Sequence, residues 1–289
     1  MKKIGFIGTG LMGFPMAKNI LKSGYKLKAF NRSLSKAKAL EEFGAEISIT
    51  LSELAKDSEI IITMLTDDEA IDEVMGNLNF LDYLKPGSIV IDMSSIKPIT
   101  AKKHEKNLSF KKIKYLDAPV SGGTIGAEEG SLAIMIGGEK KVFMEVEDLL
   151  KTMGNPTLVG PVGSGQVSKL ANQIIVGLTI GAVAEAITLC EKAGADPNKM
   201  ISALSGGWAD SKVLQTHGKR MIDKDFSPKG KTSTHLKDMN NILECASTFN
   251  THLPISNLVK EMYKNLVENG YGNKDHSSLY KEIERMNKK

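Results

Sequence analysis

The chain has 289 residues, of which 41% are hydrophobic and 25% are charged, and its formal net charge is +4. This length suits two domains, the composition excludes disordered and collagenous proteins, and no apolar run is expected to reach the ~20 residues of a membrane span. Scattered lysines balanced by 34 acidic residues offer no concentrated basic face to a nucleic acid, and two cysteines (Cys190 and Cys245) exclude a disulfide framework, so a cytoplasmic protein is expected.

The first half of the chain alternates short apolar runs with helix-like stretches. A strand is predicted at Lys3–Gly8, a helix at Leu11–Gly24, a strand at Lys26–Phe30 and a helix at Leu34–Phe43. Further strands are predicted at Glu59–Met64, Ser88–Met93 and Ile113–Asp117. Unbroken apolar strands are typical of a parallel, doubly wound sheet that helices cover on both faces.

The second half carries helical periodicity and few strand signals. A long helix is predicted over Gly165–Ala193, followed by helices at Asn198–Leu204, Ser211–Ile222, His235–Ser247, Pro254–Asn269 and Ser277–Met286. The sequence therefore predicts an α/β domain over residues 1–162 and an all-α domain over residues 163–289, joined by the long interdomain helix.

A glycine-rich segment connects the first predicted strand to the first predicted helix. It has the spacing G-x-G-x-x-G and consists of Gly8, Thr9, Gly10, Leu11, Met12 and Gly13. In this context the first glycine permits a tight turn, the second lets the backbone approach a pyrophosphate, and the third permits close helix packing. The segment predicts a Rossmann-type dinucleotide site, to which we also assign Met64 and Leu65; a plain strand–turn–helix is the alternative.

The choice of coenzyme is read at the end of the second strand, where this chain has Asn31, Arg32 and Ser33. An NAD site usually places an acidic residue there to accept a hydrogen bond from the ribose. A guanidinium beside an amide and a hydroxyl suits a 2′-phosphate instead, which favours NADP over NAD. The alternative is that Arg32 only stacks on the adenine, which both coenzymes share.

Two polar segments are candidates for substrate binding and catalysis. After the strand ending at Asp117, the backbone N–H groups of Ser121, Gly122 and Gly123, with the serine hydroxyl, would bind a carboxylate, unless they form an ordinary glycine turn. On the long helix one face carries Lys169, Asn172 and Gln173. A lysine there can stabilise a developing alkoxide and protonate it, although a solvated surface lysine is the alternative.

Four segments, in order along the chain, resemble motifs of the β-hydroxyacid dehydrogenase family. They are Phe6–Ile20 (its N-terminal signature), Asp117–Gly123 (its substrate loop), Gly165-x-x-x-Lys169-x-x-Asn172 (its catalytic motif) and Lys237-Asp238 (its C-terminal lysine motif). The resemblance implies that Lys169 is the catalytic residue, Asn172 and Gln173 contact the substrate, and Ser121, Gly122 and Gly123 hold its carboxylate. It also implies that Ser95 lies at the nicotinamide end, that Lys237 contacts the cofactor, and that the protein is a homodimer or homotetramer.

Several C-terminal segments are most similar to family members that reduce tartronate semialdehyde (2-hydroxy-3-oxopropionate) to glycerate. They are Leu170–Val176, Gly206–Ser211, His235–Asp238 and Asp275–Leu279. The resemblance thus implies the NAD(P)H-dependent reduction of a short semialdehyde that bears a carboxylate. Glyoxylate, succinic semialdehyde and 3-hydroxyisobutyrate stay open as alternative substrates, and a non-catalytic dinucleotide-binding module is the alternative of a different class. His235 and His276 lack metal-ligand spacing, so no metal is predicted.

Overall fold

The computed structural model describes residues 2–288. Contacts between Cα atoms divide the chain into two compact units, of which the first ends at Lys169 and the second begins at Leu170. Both residues belong to one helix, Ser164–Lys192. The boundary predicted between residues 162 and 163 lies just before this helix, whereas the contacts place the division inside it.

The first unit is built on one mixed sheet. Its strands are β1 (Ile4–Ile7), β2 (Leu27–Phe30), β3 (Glu46–Ile47), β4 (Ile60–Thr63), β5 (Ile89–Asp92), β6 (Lys114–Asp117), β7 (Val120–Ser121), β8 (Leu132–Gly138) and β9 (Gly154–Gly160). The strand order is β3-β2-β1-β4-β5-β6-β8-β7, and β9 pairs with β8. The order from β3 to β6 is parallel and is that of a Rossmann fold, as predicted, whereas β8 runs antiparallel to β6 and β7.

Helices cover both faces of this sheet. They are α1 (Gly13–Lys22), α2 (Leu34–Lys38), α3 (Leu51–Asp57), α4 (Asp68–Met75), α5 (Leu78–Leu81), α6 (Pro98–Ser109), α7 (Gly123–Glu129) and α8 (Lys140–Lys151). On β4, Ile60 and Ile62 belong to one apolar core and Ile61 belongs to another. Successive side chains of a strand point to opposite faces, so the unbroken apolar runs reflect burial on both sides.

The second unit is helical. Its elements are α9 (Ser164–Lys192, which begins in the first unit), α10 (Pro197–Leu204), α11 (Lys219–Ile222), α12 (Thr232–Thr248), α13 (Pro254–Leu266) and α14 (Leu279–Met286). They enclose a separate core around the fully buried Tyr263 and Tyr280. The all-α prediction for this half is confirmed.

Two predicted helices differ from the structure, and several strands were missed. The helix predicted over Leu34–Phe43 ends at Lys38 and is followed by a 3-10 turn, Glu41–Phe43. The helix predicted over Ser211–Ile222 contains a π-helical turn, Leu214–Gly218, in which the hydrogen bonds span five residues, and α11 follows it. Strands β3, β7, β8 and β9 were not predicted: β3 and β7 have only two residues each, glycines end β8 and lie at both ends of β9, and Pro156 lies within β9.

One helix of the described residues, α9, is long and apolar enough to cross a membrane by length and composition. The expectation that no apolar stretch approaches such a length was therefore wrong. In the structure Ile180, Ala184 and Ile187 of this helix are buried in the core of the second unit. Burial in this core accounts for the apolar residues on one side of α9, while Ile175 and Leu189 of the same helix are exposed.

Candidate active site

The glycine-rich turn between β1 and α1 has the backbone that its sequence predicts. Gly8 has a φ of +98°, and a Cβ atom there would lie 2.3 Å from the carbonyl oxygen of Met64. A Cβ atom on Gly13 would lie 1.9 Å from the carbonyl oxygen of Gly8, so any side chain would push α1 away from the turn. A Cβ atom on Gly10 would meet no atom within 4 Å, which leaves open space for a pyrophosphate at the start of α1.

Neighbouring strands hold this turn in place. Met64 donates its backbone N–H to the carbonyl oxygen of Ile7 at 2.9 Å, and a Cβ atom on Gly8 would lie 2.9 Å from the Leu65 side chain. Asn31, which follows β2, accepts the backbone N–H of Thr9 at 3.1 Å and donates to the carbonyl oxygen of Ser33 at 3.0 Å. The structure thus brings together the predicted residues of the turn, the β2 end and the β4 end.

Arg32 and Ser33 follow Asn31 and are exposed. Neither carries a carboxylate, so the end of β2 offers a guanidinium and a hydroxyl to a ligand. This donor set matches the three acceptor oxygens of a phosphate better than a ribose hydroxyl.

The turn after β5 carries Ser94 and Ser95. Ser94 is fully buried, its N–H donates to Oδ1 of Asp92 at 3.0 Å, and its Oγ accepts the N–H of Leu65 at 2.9 Å. Burial raises the pKa of the Asp92 carboxyl, against the opposing effect of hydrogen bonds from Ser94 and Thr63. These contacts fix the backbone on which the half-buried Ser95 stands.

The loop after β6 carries the predicted carboxylate-binding residues. Ser121 ends β7 and is half-buried, while Gly122 and Gly123 are exposed with φ angles of +144° and +64°. These angles lie in a region that side chains disfavour, so the two glycines permit a sharp change of direction at the start of α7. The hydroxyl of Ser121 and the backbone N–H groups of the two glycines are the donors that the sequence predicts for a carboxylate.

The same strand holds the start of α9. Asp117, the last residue of β6, is fully buried and accepts the N–H groups of Gly163 at 2.7 Å and Gln166 at 2.9 Å. Burial raises the pKa of its carboxyl, and these backbone hydrogen bonds oppose the rise. A Cβ atom on Gly165 would lie 2.8 Å from Oδ2 of Asp117, which explains the glycine that opens the catalytic motif. Asp117 therefore acts as the acceptor for the free N–H groups of this helix end.

Lys169 follows in the second turn of α9 and is half-buried. In the second unit Asn172 donates to Oε1 of Gln173 at 2.9 Å, and Gln173 donates to Oδ2 of Asp238 at 2.6 Å. Lys237 lies with its Nζ 3.6 Å from Oδ1 of Asp238. Asp238 thus joins the predicted residues Asn172, Gln173 and Lys237 in one polar chain.

Three buried aspartates of these networks were absent from the predicted site: Asp92, Asp117 and Asp238. Asp117 and Asp238 lie inside the quoted motifs, so the motifs contained the signal. Their role depends on partners 46 and 65 residues away in the chain, and no local pattern encodes such pairs.

Three histidines of the second unit, His217, His235 and His276, also come together, which their spacing did not predict. Ligand atoms of His217, Asp275 and His276 lie within 4.8 Å of one another, a grouping that could hold a metal ion. Each oxygen of Asp275 accepts two hydrogen bonds, however, and the guanidinium of Arg220 lies 3.5 Å from Oδ2. A cation would compete with these donors and with Arg220, so the arrangement favours a structural cluster.

Comparison with known families assigns the class of protein. A family model described as the NAD binding domain of 6-phosphogluconate dehydrogenase matches residues 3–168, more than half of the chain. A second, described as NAD-binding of NADP-dependent 3-hydroxyisobutyrate dehydrogenase, matches residues 163–283. The chain belongs to the β-hydroxyacid dehydrogenase family of NAD(P)-dependent oxidoreductases, and it binds a nicotinamide dinucleotide.

Individual relatives agree with this family. The chain is 42% identical over 286 residues to 2-hydroxy-3-oxopropionate reductase of Escherichia coli (strain K12), and the match covers 98% of each chain. It is 33% identical to the mitochondrial 3-hydroxyisobutyrate dehydrogenase of Drosophila melanogaster, over 96% of this chain and 88% of that one. The fold is shared with Mycobacterium tuberculosis 3-hydroxyisobutyrate dehydrogenase, with a TM-score of 0.90 and 24% identity over 98% and 99% of the chains. The relatives thus share the class of reaction and differ in substrate.

Proposed function

We propose that this enzyme reduces a short aldehyde that bears a carboxylate, and that its substrate is 2-hydroxy-3-oxopropionate, reduced to glycerate. The observation that carries the proposal is the pair Lys169 and Asn172, half-buried one turn apart on α9. They occur in a chain that resembles the Escherichia coli reductase over its whole length. The predicted cytoplasmic location and the homodimer or homotetramer stay predictions.

The coenzyme is NADPH in this proposal. The residues that would hold it are those predicted from sequence: the turn Gly8–Gly13, the segment Asn31–Ser33, Met64 and Leu65, Ser95 and Lys237. The open space over Gly10 fits a pyrophosphate, and Arg32 fits a 2′-phosphate. When bound, the reduced nicotinamide supplies a hydride to the carbonyl carbon of the substrate.

The protein's own residues then bind the substrate and move one proton. Ser121, Gly122 and Gly123 hold the carboxylate through the serine hydroxyl and backbone N–H groups. The ammonium group of Lys169 stabilises the negative charge that develops on the carbonyl oxygen and donates a proton to that atom. Asn172, oriented by Gln173, hydrogen-bonds the substrate beside the lysine.

Substitution of the lysine tests the catalytic role. We expect Lys169→Ala to lower kcat by about 10²–10⁴, the usual contribution of general acid–base catalysis, while the Kd for NADPH changes little. Lys192→Ala, at the exposed opposite end of α9, is the matched control and should retain full activity. An unchanged kcat in Lys169→Ala would contradict the role and favour a different acid.

A substrate panel tests the specificity. We expect the highest kcat/KM for tartronate semialdehyde among tartronate semialdehyde, glyoxylate, succinic semialdehyde and methylmalonate semialdehyde, each measured with NADPH and NADH. A higher kcat/KM for methylmalonate semialdehyde would instead make the enzyme a 3-hydroxyisobutyrate dehydrogenase. No turnover of any of the four would favour a dinucleotide-binding module without catalysis.

A further inference from the structure

The third residue of α9, Gln166, is fully buried and uses both ends of its side-chain amide. Its Oε1 accepts the backbone N–H of Ile96 at 3.1 Å, and its Nε2 donates to the carbonyl oxygen of Ser94 at 2.9 Å. A buried amide is costly unless its donor and acceptor are paired, and here both partners belong to one turn. That turn, after β5, includes Ser95 between the two bonded residues.

The turn that Gln166 bonds, Ser94–Ile96, also forms hydrogen bonds with residues outside α9. Asp92 accepts the Ser94 N–H, and the Ser94 hydroxyl accepts the Leu65 N–H. Ser94 is therefore bonded through its N–H to Asp92 at the end of β5 and through its hydroxyl to Leu65, which follows β4 and is assigned to the coenzyme. Among the contacts described above, Gln166 is the side chain that joins this turn to α9.

The backbone of Gln166 is fixed as well. Its N–H donates to Oδ2 of Asp117 at 2.9 Å, and Asp117 ends the strand that leads into the Ser121 loop. One residue thus connects α9 to the Ser95 turn through its side chain and to the substrate loop through its N–H. Lys169 stands three positions later, which places it on the same side of the helix.

We propose that Gln166 is a positioning residue that sets the distance between the Lys169-bearing turn of α9 and the turn that carries Ser95. This inference rests on the proposed role of Lys169 as general acid. Proton donation requires the amine to stand within hydrogen-bond distance of the carbonyl oxygen, and a shift of about 1 Å can lower a rate ~100-fold. Loss of the Gln166 amide would release α9 from the Ser95 turn and allow such a shift.

The test compares Gln166→Met with wild type. Methionine has a similar length but cannot form either hydrogen bond. We expect kcat for tartronate semialdehyde to fall about 10- to 100-fold, while the Kd for NADPH changes less than threefold. Ser58→Ala is the matched control for stability, since it also removes a buried hydrogen bond of the first unit, from Ser58 Oγ to the carbonyl oxygen of Leu54 at 2.7 Å. It should retain full kcat.

A second variant, Gln166→Glu, tests the hydrogen-bond pattern. Ionised glutamate still accepts the Ile96 N–H, but it has no proton to donate to the Ser94 carbonyl oxygen. Protonated glutamate can do both. We therefore expect the ratio of its kcat to that of wild type to rise as pH falls, whereas the ratio for Gln166→Met stays flat. A merely structural role would change the thermal stability of both variants without this rise in kcat.

The outcomes separate this inference from the proposed function. If Lys169→Ala loses activity and both Gln166 variants keep kcat within twofold of wild type, the positioning role is wrong and the general acid stands. If Lys169→Ala keeps full activity, the proposed function fails whatever the Gln166 variants do. A fall in kcat matched by an equal fall for Ser58→Ala would likewise overturn the positioning role.

Discussion

At the end of β2, the side chain of Asn31 is already engaged within the protein, because it bridges Thr9 and Ser33. An aspartate at this position would keep the acceptor for the Thr9 N–H and lose the donor to the Ser33 carbonyl oxygen. Asn31 therefore holds the β2 end against the glycine-rich turn, and Arg32 beside it is the exposed group that we propose distinguishes the coenzymes. The sequence shows that position 31 carries no acidic residue. The structure shows why an amide is present there, since its oxygen and its nitrogen are both hydrogen-bonded.

Arg32→Ala tests the coenzyme preference. A guanidinium–phosphate contact contributes ~1.5–3 kcal/mol, so we expect KM for NADPH to rise about 10- to 100-fold and KM for NADH to change little. Lys38→Ala is the matched control, since it removes an exposed positive charge from α2 without altering the β2 end. Equal increases in KM for both coenzymes would show that Arg32 stacks on adenine and does not bind phosphate.

At the scale of elements, the histidine cluster joins three segments of the second unit. His217 lies in the π-helical turn, His235 in α12, and His276 in the 3-10 turn before α14. Nδ1 of His276 lies 3.4 Å from Nδ1 of His235, and its ring centroid lies 4.7 Å from that of His217. Burial, followed by the charges of His235 and His217, lowers the pKa of His276 to about 3 from its ordinary 6.5. The cluster is therefore packed around a neutral imidazole.

This low pKa makes the stability of the second unit depend on pH. An unfolded histidine gains a proton below pH 6.5 and the folded one only near pH 3. The stabilising contribution is thus fully present above pH 6.5 and is lost progressively as pH falls towards 3. We expect the Tm of His276→Gln to depend less on pH between 7 and 4 than the Tm of wild type. Exposed His252→Gln is the control and should follow wild type; a parallel slope for His276→Gln would contradict the assignment.

At the scale of the whole molecule, the chain has a net charge of +4. The proposed site takes two anionic ligands, namely the coenzyme and the substrate with its carboxylate. The carboxylate is the feature that the candidate substrates share. A charge-assisted hydrogen bond to it contributes ~1.5–3 kcal/mol.

Glycolaldehyde and glyoxylate form a test pair, because glyoxylate carries the carboxylate and glycolaldehyde, of similar size, does not. We expect kcat/KM for glycolaldehyde to be about 10- to 100-fold lower. Ser121→Ala should narrow this ratio by lowering kcat/KM for glyoxylate alone. Equal kcat/KM values in wild type would show that the Ser121 loop does not bind the carboxylate.

Much of the architecture follows from local rules that the sequence alone expresses. The spacing of Gly8, Gly10 and Gly13 determines a turn whose φ angle and close contacts only glycine permits. Buried apolar strands and the 3.6-residue period determine the parallel sheet and the helix that carries Lys169 and Asn172 one turn apart. The glycine turn, the buried strands and this helix depend on residues that are near one another in the chain, so the sequence pattern predicts them.

Tertiary structure alone decided which polar groups meet. The side-chain amide of Gln166 bonds to Ser94 and Ile96, some 70 residues away. Gln173 bonds to Asp238, and His217 and His276 meet at Asp275. A buried donor or acceptor needs a hydrogen-bond partner. The sequence does not indicate which residue that partner is, because the pairing depends on how distant elements pack. Strands β7 to β9 also depend on distant partners. They form by pairing at the edge of the sheet beyond β6, and the β propensity of their own residues does not predict them.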